Sequence, residues 1–513
     1  MPLREGSFNL THLRIPPPVG ASEIIVTVKV VQQFVLPRGA NLASCALALL
    51  LGIGASAAAQ NPSSAANPYY GSVTAQPVTD ETLKLSLDDA VRRGLQNNLG
   101  LKVVESDEKI VHGEKSEALQ QFLPTITLKG DIGVYQHDLA AQGFGPGVIK
   151  KFAGIFPGGA MPTGISLITK DDLTEGQLHF NETLFSGPVI AGWKAAGSAE
   201  RSAHFAKMTA RGEVVQQVAT AYLHAIAASS EVDNAQALLA QDQVLLDHAH
   251  AAHEAGVSAN LEELRARVQF QAQQQALLYA ENAYEKDLIL LKRETGIDPG
   301  QKIFLTDHAP SSDLADQTPE EVRAIAYKNR QDYQNLQNQV VTYRAIHNVY
   351  RAQRLPTLLF NSYYAVSAVN GAGTHGNFVA MGTLSLPLFR EAGLRGNEDA
   401  SKAQLEAVNL QLADLRNHID EQVRAALLDV SASAKLVQVA KSNVDLATRA
   451  LSDETDRVNA GVDDNLPLVT AQASLANAQN SLVESLYRYN VSKLALARAA
   501  GVLETQYRDY LGR

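Results

Sequence analysis

One cysteine, Cys45, stands in a chain of 513 residues, so neither an intramolecular disulfide framework nor a cysteine-rich metal site can be built from it. Basic runs are missing as well. Lysine and arginine number 44 against 54 acids, the net charge is −10, and no stretch interleaves aromatic with basic residues, which removes the usual footprint of a nucleic-acid binder. No Ser-His-Asp spacing, phosphate-cradling glycine loop or nucleophile elbow stands at a strand-to-helix junction, so neither an enzyme nor a bound cofactor is expected. Long apolar runs are confined to one place, Ala43 to Gln60 (ASCALALLLGIGASAAAQ). No later stretch approaches the ~18 to 20 apolar residues of a membrane-spanning helix.

That one run follows Arg38 and ends in Ala57-Ala58-Ala59, which fits a secretory signal with an A-x-A cleavage site. Residues 1–59 are therefore read as a leader and 60–80 as a polar linker. The proline-rich IPPPVG and the rest of the first 37 residues precede the basic position, so either translation starts later, near Val35 or Leu36, or the leader is unusual. Leu42-Ala43-Ser44-Cys45 resembles a lipoprotein cleavage box, but its apolar stretch lies after the cysteine instead of before it, which weighs against lipidation.

The second half of the chain repeats the first. Gly256 and Gly461 lie 205 residues apart, and the same offset, with no gap, pairs Gln217 with Gln422, Val218 with Val423, Asn260 with Asn465, Tyr284 with Tyr489, Arg293 with Arg498 and Gly296 with Gly501. A gap-free helical repeat about 80 residues long implies two copies of one architectural unit, and symmetry of this size suits a duct or scaffold better than a catalytic site. The repeats are placed at 81–310 and 311–502, with 503–513 as a C-terminal tail. In each, two shorter helices are followed by a strand pair, a very long helix, a turn and a return helix. Ser86 before LDDAV and Thr318-Pro319-Glu320-Glu321 are helix-start signals. The first long helix runs from about Val189 to Ala255, near 100 Å at 1.5 Å per residue, longer than ordinary globular helices.

Strands carry a second signal. In Thr125 to Tyr135, Ile126, Leu128, Ile132 and Val134 alternate with Thr127, Lys129, Asp131 and Gly133. The counterpart at 357–367 puts Leu358, Phe360, Tyr364 and Val366 on one face, and return strands are expected at 177–185 and 378–389. Their length and alternation suit membrane β-strands, although ordinary half-buried strands share the pattern. Four strands cannot close a barrel, and an open edge in lipid leaves backbone groups unsatisfied. Pooling strands with copies of itself would solve this, and three chains would give twelve.

LSLDDAVRRGLQNNLGLKV, the Leu123-Pro124-Thr125 and Leu355-Pro356-Thr357 strand openings, the Leu184-Phe185 and Leu388-Phe389 strand ends, and the paired turns AGVSANLEELRAR and AGVDDNLPLVTAQ together resemble the TolC-type outer-membrane efflux family over about Leu85 to Val502. That resemblance implies an α+β membrane protein: a homotrimer whose twelve-stranded β-barrel in outer-membrane lipid continues into a long antiparallel coiled-coil α-helical barrel in the periplasm. It implies a passive exit duct of a tripartite efflux system, meeting a periplasmic adaptor (membrane fusion) protein and an inner-membrane pump. The channel of a type I protein secretion system is an alternative within the class. An exported coiled-coil scaffold without a pore is an alternative outside it.

By the same resemblance, Gly256, Val257, Leu261, Gly461, Val462 and Leu466 lie at the periplasmic tips and contact the adaptor. On residue grounds alone the glycines serve any helix hairpin, Asn260 or Asn465 would start the following helix, and the two leucines either pack the hairpins or meet a partner. Tripled, the acids Glu262, Glu263, Asp463 and Asp464 would form rings favouring cations, although solvated helix-end acids read equally well. The family's gate carboxylates fall six and nine residues after the second-repeat glycine, where this chain has Pro467 and Thr470. His248, His250 and His253 precede the first turn in HAHAAH, and the 250/253 pair shares a helix face; a metal site would need further ligands. Residues 137–172, rich in Gly, Phe and Pro, are read as an extracellular loop, with VNGAGTHGNF from Val369 as its counterpart.

Overall fold

A computed structural model describes residues 68–69, 71–73, 77–138, 168–256, 259–370, 373–459 and 465–512. The leader, Cys45 included, lies outside these residues. The first repeat opens with β1 (Leu83–Leu85), α1 (Leu87–Asn97) and α2 (Leu99–Gln120), followed by the strands β2 (Thr125–Asp138) and β3 (Ile168–Ser186). The long helix α3 (Gly187–Glu254, 68 residues) and its return α4 (Asn260–Thr295) complete it. The second repeat answers with β4 (Ile303–Leu305), α5 (Pro319–Asn329), α6 (Gln331–Ala352), β5 (Thr357–Val369), β6 (His375–Ser385), α7 (Glu391–Asn459, 69 residues) and α8 (Asn465–Ala499). A last helix, α9 (Leu503–Leu511), occupies the stretch expected to be a tail.

Local chemistry accounts for the helix boundaries. Ser86 Oγ accepts the Asp89 N–H to begin α1, and Asn98 Oδ1 accepts the Leu101 N–H to begin α2. Thr318 and Glu321 form a reciprocal capping box with Pro319 in the first turn of α5. The return helices α4 and α8 each end on a glycine in the left-handed region, Gly296 at φ 75° and Gly501 at φ 74°, so the repeat holds down to backbone conformation. At Gly501 a β-carbon would stand 2.6 Å from the Arg330 backbone nitrogen, which adds a steric reason to the conformational one. One expected start is corrected: Asn260 is already helical in α4, whose cap is Ala259 without a side-chain bond, and Glu262 and Glu263 in the first turn favour the helix N-terminus instead.

The helices form a slab in which α3 is central. Along its first part α3 packs on α2 and α6, and along its remainder on α4 and α8; α7 runs beside α6 and then α8. The order is thus α2-α3-α6-α7 near the strands and α4-α3-α8-α7 farther away, with α2 above α4 and α6 above α8. A collar of apolar side chains girdles the middle of the slab, drawing Val214, Val218 and Tyr222 from α3, Leu291 from α4, Ile419 and Val423 from α7, and Leu494 and Leu496 from α8. The two three-residue strands β1 and β4 pair in parallel there, and the buried Tyr222 hydroxyl lies 2.9 Å from both the Leu85 carbonyl and Asp307 Oδ2. Helix α9 buries Leu503, Tyr507, Tyr510 and Leu511 in the same collar and ties it outward through Arg211–Glu504 at 2.6 Å. It is therefore part of the core.

The strands make one four-stranded antiparallel sheet in the order β2-β3-β5-β6. β3 begins at Ile168, before the expected 177, because Lys170, Asp171 and Asp172 mask its alternation in the sequence. β6 ends at Ser385 instead of reaching 389, since Pro387 has no N–H to give to a ladder. β2 and β3 extend into both ends of the stretch read as a loop from 137 to 172, leaving 139–167 outside the described residues; of its supposed counterpart after Val369, Asn370 stands at φ 51°, residues 371–372 lie outside the described residues, and His375 onward is already in β6.

Candidate functional site

Pairing across all four strands gives the sheet two chemically opposite faces. Register places Leu128 beside Leu178, Tyr364 and Phe378 in one row, Ile126 beside Phe180, and Leu358 beside Leu384 in another, and Phe180 meets Phe360 edge-on at 5.9 Å. Most of these side chains are exposed, Leu128 to 81% and Ile132 to 87%, while Phe180, Leu358 and Phe360 are half-buried against their neighbours. The other face carries Thr127, Lys129, Asp131, Gln177, His179, Asn181, Asn361 and Tyr363, knitted by short bonds such as Gln177 Nε2 to Glu175 Oε2 at 2.6 Å. An apolar surface of this continuity facing outward is unfavourable in water and natural in lipid. The polar face suits a wet lumen.

Among the described residues both ends of the sheet are open, because β2 and β6 each have a neighbour on one side only. The helical slab is open at the corresponding ends, α4 and α7. Exposed apolar residues recur at helical spacing on each: Leu264, Val268 and Leu278 on α4, and Leu428, Leu436, Val439 and Leu446 on α7.

At the far end of the slab the α3–α4 hairpin turns through Gly256 at φ 69°. Glu263, only 7% exposed, reaches back from α4 onto α3: Arg267 Nη2 lies at 2.8 Å, His250 Nδ1 at 3.3 Å and His253 Nε2 at 4.0 Å. His250 and His253 thus share a face and one carboxylate, while His248 is exposed and takes no part. Among the described residues no three His, Cys, Asp or Glu side chains are arranged to hold a metal. Glu262 pairs with Arg265 at 2.8 Å, and its second oxygen is buried without a partner. In the second repeat the positions matching His250, His253, Glu263 and Arg267 hold Thr455, Val458, Leu468 and Gln472. Leu468 there joins Leu245, Ala249 and Ala266 in a small apolar cluster that binds the two hairpins together. Leu261 is exposed beside a groove of about 380 Å³ that also takes in Leu264, Val268 and Val469, so it does not pack the hairpin core. Val257, Gly461, Val462, Asp463 and Asp464 lie outside the described residues, and for Leu466 the description is confined to its backbone in α8.

Higher on the slab the helices reveal a motif that the sequence reading missed. Glu108-x3-His112-x2-Lys115 on α2 and Glu200-x3-His204-x2-Lys207 on α3 have identical spacing, and the antiparallel packing crosses them: Glu108 meets His204 at 3.0 Å and Lys207 at 2.6 Å, while Glu200 meets His112 at 2.7 Å and Lys115 at 2.5 Å. The lysine hydrogen bonds are the largest cause holding both carboxyls below their ordinary range; the histidines add to them, and burial opposes, more than His204 contributes at Glu108 and less than His112 at Glu200. Matched E-x3-H-x2-K spacings in consecutive helices were the signal available.

The outer membrane efflux protein family model matches residues 90–296 and 323–502, which takes in the four strands of the sheet, both long hairpins and most of the collar. The chain belongs to the outer membrane efflux protein family. As an outer membrane efflux protein it is a channel component of the outer membrane in the TolC class. Its backbone is similar to the outer membrane protein VceC of Vibrio cholerae, with 17% identity, a TM-score of 0.64, and coverage of 81% of this chain and 96% of that one. It is similar also to the CmeC outer membrane channel of Campylobacter jejuni, at 14% identity and a TM-score of 0.66 over 85% and 92% of the two chains. Among curated proteins it resembles nodulation protein T of Rhizobium leguminosarum bv. trifolii, 25% identical over 172 residues, 33% of this chain and 37% of that protein.

Proposed function

We propose that three copies of this chain close into a passive exit duct of a tripartite efflux system. The observation that carries this reading is the coincidence of open ends: the sheet and the slab each stop at an unpartnered edge, and both edges belong to one wall segment. An end that offers β2 to a neighbour's β6, and α4 to a neighbour's α7, makes a head-to-tail contact that generates a ring if its rotation closes. Twelve pooled strands satisfy every backbone group in lipid, as a membrane barrel must. The polar sheet face would then line the conduit.

Gly256 and Leu261, with Val257, Gly461, Val462 and Leu466, would form the surface that a periplasmic adaptor meets, and an inner-membrane pump would supply the energy. Glu262 and Glu263 are already engaged by Arg265 and by Arg267, His250 and His253. Any cation-selecting ring at the mouth is therefore assigned first to Asp463 and Asp464. Opening would be a shift between two packings of the hairpins, biased by the adaptor.

Native mass of the mature protein, extracted from the outer-membrane fraction in mild detergent, tests the reading. A trimer that needs detergent is the expected result. A monomer or dimer recovered in the soluble periplasmic fraction would overturn it in favour of a pore-less coiled-coil scaffold.

A further inference from the structure

The apolar face of the sheet does not stop where the strands do. Beyond the bulge between Thr183 and Phe185, Phe185 pairs with Leu358, which pairs with Leu384, so Phe185 belongs to the outward apolar face. It is also the upper wall of a groove of about 270 Å³ that descends between α3 and α6, walled by Ile190, Ala191, Ala352 and Leu355. Gly187 makes the close approach of the two helices possible, since a β-carbon there would stand 2.8 Å from Leu355 Cδ1. At the lower end the lining turns polar with Lys194 and Asn348.

Three features identify what fills the groove. It lies between the two central helices of the slab, so neighbours that join at α2, α4 and α7 leave it open. It is continuous with the lipid-facing side of the sheet through Phe185. Lys194 is exposed, has no carboxylate partner among the described residues, and lies eight residues below Ser186, about 12 Å along the helix. Side chains on α3 tilt toward its N-terminus, which is the membrane end, so the lysine extends toward the headgroup layer. The chain's one tryptophan, Trp193, is half exposed at the same level, edge-on to Phe122 at 6.2 Å, where interfacial aromatics belong.

The geometry points to a seat for one inner-leaflet phospholipid per chain, with an acyl chain lying along Phe185, Ile190, Ala191 and Leu355 and the anionic phosphate met by Lys194. This inference rests on the outer-membrane placement of the sheet and goes beyond it, since a barrel needs no individual lipid site.

Trp193 provides the measurement. The purified full-length protein in mild detergent is titrated with phosphatidylglycerol carrying brominated acyl chains, which quench nearby indole fluorescence, and in parallel with brominated phosphatidylcholine. Phosphatidylglycerol is expected to quench at low mole fraction and to saturate. Lys194→Gln raises the half-quenching mole fraction for it about fivefold, the effect of one lysine at an anionic lipid surface. Ala191→Phe, which fills the groove, abolishes the saturating phase. Native mass spectrometry of the wild type should retain one phospholipid per chain. Quenching that follows bulk lipid content equally in wild type and Ala191→Phe overturns the seat, and an unchanged response in Lys194→Gln overturns its phosphate contact. Failure of the outer-membrane placement itself would show separately, as a protein that stays soluble without detergent.

Discussion

Glu294 lies near the end of α4 with one carboxylate oxygen accepting from Gln217 Nε2 at 2.9 Å and the other buried without a partner. Burial pushes its carboxyl up to about 7 from an ordinary 4.5, with the Gln217 bond opposing. Between those values the folded protein keeps a proton that the unfolded chain releases, so this group's contribution to stability is fully present below about 4.5, falls as pH rises and is gone above about 7, a change on the order of 3 kcal/mol. Glu294→Gln keeps an acceptor for Gln217 and abolishes the titration. Thermal melting at pH 8 should therefore give a higher Tm for the variant than for the wild type, with the gap closing by pH 5; parallel curves would refute the argument. Lys493 is the opposite case: burial pushes its ammonium down to about 8 despite Asp313, while its Nζ donates to the Ser312 carbonyl at 3.1 Å and lies 4.5 Å from the Tyr489 ring centre. It pins the inter-repeat connection to α8.

Helix α9 shows how an element escapes sequence reading. Nine residues with no counterpart in the first repeat look like a tail, yet four of them, Leu503, Tyr507, Tyr510 and Leu511, are buried, and Tyr507 Oη donates to Asp88 of α1 at 2.6 Å. Burying a large apolar side chain contributes about 1.5 to 3 kcal/mol, so a chain ending at Val502 should lose several kcal/mol and fail to accumulate in the outer-membrane fraction. Undiminished, protease-resistant protein from that truncation would return α9 to the status of a tail. Elements with strong local signals were legible: Thr318 and Glu321 announce α5, the 205-residue offset locates both hairpins, and the alternation of Ile126, Leu128, Ile132 and Val134 marks β2. Elements defined by distant partners were not. β1 and β4 are three residues each and acquire meaning only when Leu83 meets Ile303, and Asn260 resembles a cap but lies inside its helix. At the tip the histidine spacing was visible, whereas their convergence on Glu263 depends on a fold-back across Gly256 that no periodicity encodes.

At the scale of the whole molecule the duplication explains why, in the proposed ring, one chain would supply a wall segment and not a closed object. Each repeat contributes two strands and one long hairpin, so joining repeats within the chain uses the same kind of lateral contact that joining chains requires, and the last contact is left for a copy. The strand count leaves two, three or four chains as barrels of eight, twelve or sixteen strands, all even and all permissible. Cross-linking decides among them. In a Cys45→Ser background, Thr127→Cys on β2 is combined in turn with Asn377→Cys, Val379→Cys or Met381→Cys on β6, all on the polar face. A disulfide requires Cα atoms within about 7 Å, so only the pair that the closed barrel brings into register should oxidise. That pair should give bands at one, two and three chain masses with nothing above, while each single variant stays monomeric under denaturing conditions. A ladder ending at two or four would change the stoichiometry and keep the ring. One that continues without end would mean that the head-to-tail contact does not close, and no ladder from any pair would mean that β2 and β6 never meet.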